Sequence, residues 1–126
     1  MRICAYGDAP VMDEIENLQA DVLKALAHPR RLQIMHRLAD GPVEVRALAA
    51  ELGMTQPNVS QHLAVMRAAG VVEAERIGRE VRYRISDPDV VVACATMRRV
   101  LVRRIDRLAG LSEASRAAAP QFQPTR

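Results

Sequence analysis

The chain has 126 residues, 49% of them hydrophobic, which is one domain's worth of protein with apolar material for a core and excludes wholesale disorder. Net charge is only +3, yet residues 1–29 carry two basic groups against five acids, residues 30–84 nine arginines against six acids, and residues 85–126 seven against four. An acidic start ahead of a basic body suits a polyanion such as nucleic acid, although a solvated charged surface would look the same on charge alone.

Residues 1–12 show no clear period and are expected to be an N-terminal arm. The opening run MRICAYGDAPVMDE has neither a charged leader followed by an apolar stretch nor a small-residue cleavage site. From Asp13 to Ala27, Ile15, Leu18, Val22 and Leu26 recur at helical spacing. His28-Pro29 interrupts, because a residue before proline avoids the helical region while proline itself starts helices well. A second helix is expected over about Pro29–Ala39, with Leu32, Met35 and Leu38 on one face and Asp40-Gly41-Pro42 ending it.

A third, short helix covers about Val45–Leu52 and buries Val45, Leu48, Ala49 and Leu52, with Gly53 free to take the left-handed conformation that closes it. Thr55 is a good N-cap for a fourth helix running to about Ala69. Val59, Leu63 and Met66 face inward there, Gln56, Asn58, Ser60, Gln61 and Arg67 lie on the other side, and Gly70 terminates it.

Next the period changes from 3.6 to 2. Val81, Tyr83 and Ile85 alternate with Arg82 and Arg84, the mark of a half-exposed strand. Val72–Ile77 can be its partner, joined through a Gly78-Arg79 turn. Asp87-Pro88 then caps a long helix expected to end near Leu108–Ala109, before Gly110, with a stripe of Val90, Val91, Cys94, Met97, Leu101, Ile105 and Leu108. Residues 110–126 are expected to fray, which leaves one domain over residues 13–109. No run approaches the length and apolarity of a membrane span. The two cysteines, Cys4 and Cys94, make no disulfide framework and no CxxC, so the expected location is the cytosol with both thiols reduced.

The expected fold is therefore mainly α with a small β-hairpin. Helix three, the Gly53 turn and helix four have the form of a helix-turn-helix. A helix that enters the major groove needs an exposed face that is polar but not acidic, so that it can offer donors and acceptors to base edges. Thr55 to Ala69 contains no acid, and Gln56, Asn58, Ser60 and Gln61 supply such groups. Ordinary surface helices use Glu and Lys there, and this one has neither. Thr55 at the helix start can also meet a phosphate. Arg79 at the hairpin tip, with Arg76, Arg82 and Arg84 on its strands, makes a basic wing that can track phosphates or enter the minor groove. A charged edge strand guarding against aggregation is the competing reading of the same residues. With only Tyr6, Tyr83 and Phe122 as aromatics, stacking platforms for single strands are missing and duplex DNA is the better polyanion.

The runs LKALAHPRRLQIMHRL, VRALAAELGMTQPNVSQHLAVMRAAGVVEAERIGREVRYRI and SDPDVV resemble the ArsR/SmtB family of winged helix-turn-helix repressors, over about residues 15–108. The resemblance implies a homodimer paired through its first and last helices, bound to duplex DNA and released by an inducer. A last helix of about 30 Å, more apolar than a monomeric winged domain needs, agrees with that. The resemblance does not carry the inducer. Members that sense soft metals on the third helix have Cys-x-Cys where Glu44 and Arg46 stand here. Members with a metal site on the last helix use Asp, His, His and a further His or Glu, and Asp87, Asp89, Val100 and Arg103 align there. Valine and arginine cannot ligate zinc. Members that sense sulfur species pair cysteines where His36 and Val102 stand. No metal site or cofactor is expected.

His28 is expected to shape a helix junction and His36 to be a partly exposed surface group. His62 can touch phosphate or pack against the third helix. Cys94 reads as a small buried hydrophobe, or else as half of a redox pair with Cys4 on the arm. Three functions compete on this reading. One is a repressor with an unidentified inducer, one a ligand-independent or architectural DNA binder, and one a small thiol oxidoreductase using Cys4 and Cys94.

Overall fold

The computed structural model describes residues 9–118, with side chains described for residues 13–111, 113 and 114. The elements run α1 (Ala9–Leu26), α2 (Pro29–Leu38), β1 (Val43–Glu44), α3 (Val45–Leu52), α4 (Gln56–Ala68), β2 (Val72–Ile77), β3 (Glu80–Ile85) and α5 (Pro88–Ala118). Several ends are set by single residues. His28 caps α2, its Nδ1 accepting the Arg30 amide at 3.1 Å while Pro29 opens the helix. Gly53, at φ 65°, closes α3, and the Met54 amide donates back to the Ala49 carbonyl at 2.9 Å. Gly78, at φ 64°, takes the first position of the two-residue turn between β2 and β3.

Three elements depart from the sequence expectation. α1 begins at Ala9, inside the expected arm, because Pro10 is compatible with a first helical turn too short to show a period. α5 runs through Gly110 to Ala118, 31 residues or about 46 Å, rather than ending before it. An isolated glycine costs a helix only about 1 kcal/mol, and the alanines that follow favour continuation. The third departure is β1, a two-residue strand with no readable period. It pairs antiparallel with β3, Val43 opposite Tyr83 and Glu44 opposite Arg82, giving a sheet ordered β1-β3-β2.

The chain divides into two compact units, one ending at Val91 and the other starting at Val92. The first holds the core, in which Ile34, Met35, Leu48, Val59, Leu63, Met66, Val71 and Val72 are fully enclosed. Of the expected inward residues, Met35, Leu38, Leu48, Ala49, Val59, Leu63 and Met66 are buried there, while Leu32, Val45 and Leu52 are only half-buried. Ile34 on α2 and Ala25 and Leu26 at the end of α1 are buried too. Ile15 and Leu18, from the α1 set of helical spacing, are 50% and 60% exposed. On α5, Met97, Leu101, Ile105 and Leu108 are likewise about half exposed or more in the single chain. Among the described residues no helix is long and apolar enough to cross a membrane.

Candidate nucleic-acid interface

α3 and α4 meet across the Gly53-Met54-Thr55 turn, and the Thr55 hydroxyl accepts the Asn58 amide at 3.3 Å, so the cap expected at the start of α4 is formed. Arg37 and Arg30 on α2 both reach α3, Arg30 also bonding Gln33 within α2 itself. The Arg37 guanidinium holds both carboxylate oxygens of Glu51, and Arg30 reaches Gln33 Oε1 at 3.0 Å and the Leu52 carbonyl at 3.4 Å. The hydrogen bond from Arg37 holds the Glu51 carboxyl below its usual range.

With Val59, Leu63 and Met66 at zero exposure on the core side, the opposite face of α4 is left to solvent. Gln56, Asn58, Ser60, Gln61 and Arg67 all lie exposed, as does Thr55 ahead of them. Sequence reasoning missed Ala64, Val65 and Ala68, which are exposed beside them. The signal was available in the spacing, since Ala64 and Ala68 follow Gln61 by three and seven residues and Val65 by four. Small side chains let a helix backbone come close to base edges, and apolar ones suit the thymine methyl. α4 carries no acid, so nothing on this face repels phosphate.

His62 is not on that face. Its ring is half-buried, with Nδ1 accepting from Arg31 Nε at 3.2 Å and the centroid 4.6 Å from that of His28. It therefore braces α4 on the start of α2 rather than on α3. Burial first, then the nearby His28, Arg31 and Arg30, push its imidazole pKa down.

The wing separates its charges by position. On one face Arg84 donates to Glu73 at 2.9 Å, and Arg82 lies 3.6 Å from Glu80 and opposite both Glu75 and Glu44. The arginine charge of that face is largely met by acids. Arg76 and Arg79, nearer the tip, are exposed and form no ion pair among the described residues. Cys94 is half-buried and its thiol pKa is raised by that burial. Cys4 lies outside the described residues, and with it the proposed thiol pair. Among the described residues no group of three potential ligands could hold a metal ion.

A family model for bacterial regulatory proteins of the arsR family matches residues 28–74, which run from the α2 cap through α3 and α4 into β2. An uncharacterized HTH-type transcriptional regulator of Mycobacterium tuberculosis, Rv0081, is 38% identical over 103 residues, covering 80% of this chain and 90% of that one. The HTH-type transcriptional repressor SmtB of the same organism is 44% identical over 84 residues, 67% of this chain and 62% of its own length. Among solved structures, the homodimeric winged helix-turn-helix DNA-binding domain Mb0332 of Mycobacterium bovis is similar with a TM-score of 0.73 and 35% identity, covering 80% of this chain and 94% of that one. A helix-turn-helix with an acid-free exposed face, a basic-tipped wing and relatives of this kind lead to one assignment: the chain belongs to the arsR family of bacterial regulatory proteins.

Proposed function

We propose that this regulator acts in the cytoplasm as a homodimeric repressor that reads an inverted repeat in double-stranded DNA through α4 and is released by an inducer. The observation that carries the reading is the face of α4, where Asn58, Ser60 and Gln61 are exposed on a helix without a single acid. Gln and Asn can each bond adenine bidentately, and Ser can donate or accept. Arg76 and Arg79 at the wing supply sequence-independent phosphate contacts.

The dimer reading rests on uncovered apolar surface. Ile15, Leu18 and Leu23 on α1, and Met97, Leu101, Ile105 and Leu108 on α5, are between 48% and 67% exposed in one chain together with their neighbours. Soluble monomers rarely leave that much apolar surface open. A second chain covering both stripes removes it from water and sets two copies of α4 in two-fold relation. Footprinting on a promoter fragment, with sedimentation of the free protein, tests this. A dimer protecting two half-sites one helical turn or a multiple apart is the expected result. Protection of one unpaired half-site overturns it.

A ligand-independent DNA binder is the second reading. Glu44, Arg46, Val100 and Arg103 stand where the ArsR/SmtB resemblance implies metal ligands, and His36 and Val102 where it implies a thiol pair. Operator binding unchanged across a broad screen of metals, thiols and small metabolites would favour it. The thiol oxidoreductase reading falls away, since the family is one of regulators and the Cys94 thiol is shifted away from reactivity.

A further inference from the structure

Two imidazoles meet where the end of α1, the start of α2 and the recognition helix α4 come together. The rings of His28 and His62 lie 4.6 Å apart, tilted by 53°. Each Nδ1 is already an acceptor, that of His28 from the Arg30 amide at 3.1 Å and that of His62 from Arg31 Nε at 3.2 Å. Arg31 also donates from Nη1 to the Ala25 carbonyl at 3.2 Å, so one guanidinium links the last turn of α1 to His62 on α4. A nitrogen that accepts carries no proton, which makes His62 a neutral imidazole protonated on Nε2.

Resting on the reading of α4 as the DNA-reading helix, we propose that His62 is a positioning residue: its neutral ring holds α4 to the first turn of α2, and its protonation releases that hold and lowers operator affinity. A proton on Nδ1 would face the Arg31 N–H and convert an acceptor into a second donor. Besides burial, the groups acting on His62 are His28 before α2 and Arg31 and Arg30 on its first turn, and none of them is a carboxylate that could receive a cation. Burial and these neighbours lower the folded pKa below the ordinary 6.5. The stabilisation is therefore complete above the ordinary value and lost as pH falls through the lower, folded one.

The sign separates this reading from simple electrostatics. Adding a cation to a DNA-binding surface strengthens its attraction to phosphate, so a His62 that touched DNA would bind more tightly in acid. A His62 that positions α4 binds more weakly.

The test compares wild type with His62→Asn, whose Oδ1 stands near the position of Nδ1 and accepts at any pH. The DNA is a duplex selected by the wild type from a random pool at pH 7.5, and affinity is read by fluorescence anisotropy at pH 7.5 and 5.5. Wild-type affinity is expected to fall on acidification, by up to about tenfold per subunit for a group titrating below its ordinary value, while His62→Asn stays flat. A wild type that binds as tightly or more tightly at pH 5.5, or a variant that falls in parallel, overturns the proposal. A second measurement needs no DNA. Nitrogen NMR of the imidazoles, with amide exchange along α4, is expected to show exchange quickening as His62 titrates, and exchange that ignores its titration also overturns the proposal. Selection that yields no duplex, with titration-linked exchange intact, counts against α4 as a DNA reader while the brace stands.

Discussion

Arg79→Ala removes the cation at the wing tip. Arg82 and Arg84 already face Glu80 and Glu73 at 3.6 and 2.9 Å, so the uncompensated charge of the wing is concentrated at Arg76 and Arg79. Each phosphate neutralised by a cation contributes about 0.9 to the slope of log affinity against log salt. A dimer with both wings on DNA then loses about 1.8 units of slope in the variant, and a fourfold rise in salt weakens the wild type about twelvefold more than the variant. Fluorescence anisotropy from about 50 to 200 mM salt, on operator and on a scrambled duplex, reads this directly. Both duplexes should show the same change, because phosphate contacts carry no sequence. The charge-neutral double variant Glu73→Ala/Arg84→Ala should leave the slope where it was. Parallel salt lines for Arg79→Ala and wild type would refute the assignment of the wing tip to phosphate. A loss confined to the operator would refute it as well, by making Arg79 a reader of bases.

Asn58→Ala and Gln61→Ala should each erase discrimination at one base pair, at a cost of about 1–3 kcal/mol there, with non-specific affinity nearly unchanged; binding titrations against single-base operator variants check this, and uniform weakening would move both residues to the backbone. Thr55→Ala removes the hydroxyl that accepts the Asn58 amide and should lower stability by about 0.5–2 kcal/mol in urea denaturation, an unchanged midpoint showing that the cap contributes nothing. The raised pKa of Cys94 disfavours its thiolate at neutral pH, so alkylation of Cys94 at pH 7.5 should be slower than that of a free cysteine and should quicken only at more alkaline pH. Mild oxidant should leave operator binding intact, and reversible release by oxidant and reductant would restore the thiol switch to consideration.

Much of the fold was legible because it is written in local chemistry. Proline after His28, Gly53, Thr55 and Gly78 act within three or four residues of themselves, and the elements they bound lie within a residue or two of expectation. The core side of α4 and most of those of α2 and α3 followed from a 3.6-residue period, which records burial whatever lies opposite, though Ile34 was missed and Leu32, Val45 and Leu52 are only half-buried. The ends of α1 and α5 were less legible. A four-residue extension shows no period, and a lone glycine weakens a helix without deciding that it ends. The composition of the α4 face was readable as polar and acid-free, yet counting only polar residues hid Ala64, Val65 and Ala68, whose exposure depends on the face and not on their hydropathy.

By itself, then, the sequence determined the order of the helices and of the hairpin, their caps and turns, and the polar side of α4, since each depends on interactions between near neighbours in the chain. Tertiary structure alone decided matters of long sequence separation. It placed His62 against Arg31, which is 31 residues away, a contact no local pattern shows. It also divided the wing arginines into those met by acids on the neighbouring strand or residue and those left open at the tip. The stripe of α5 reads in sequence as more apolar than a monomer needs, and the folded chain shows Met97, Leu101, Ile105 and Leu108 half exposed or more. A hydrophobic period states that a surface is to be buried; which surface covers it is fixed by where the rest of the chain goes, and nothing in a local pattern encodes that.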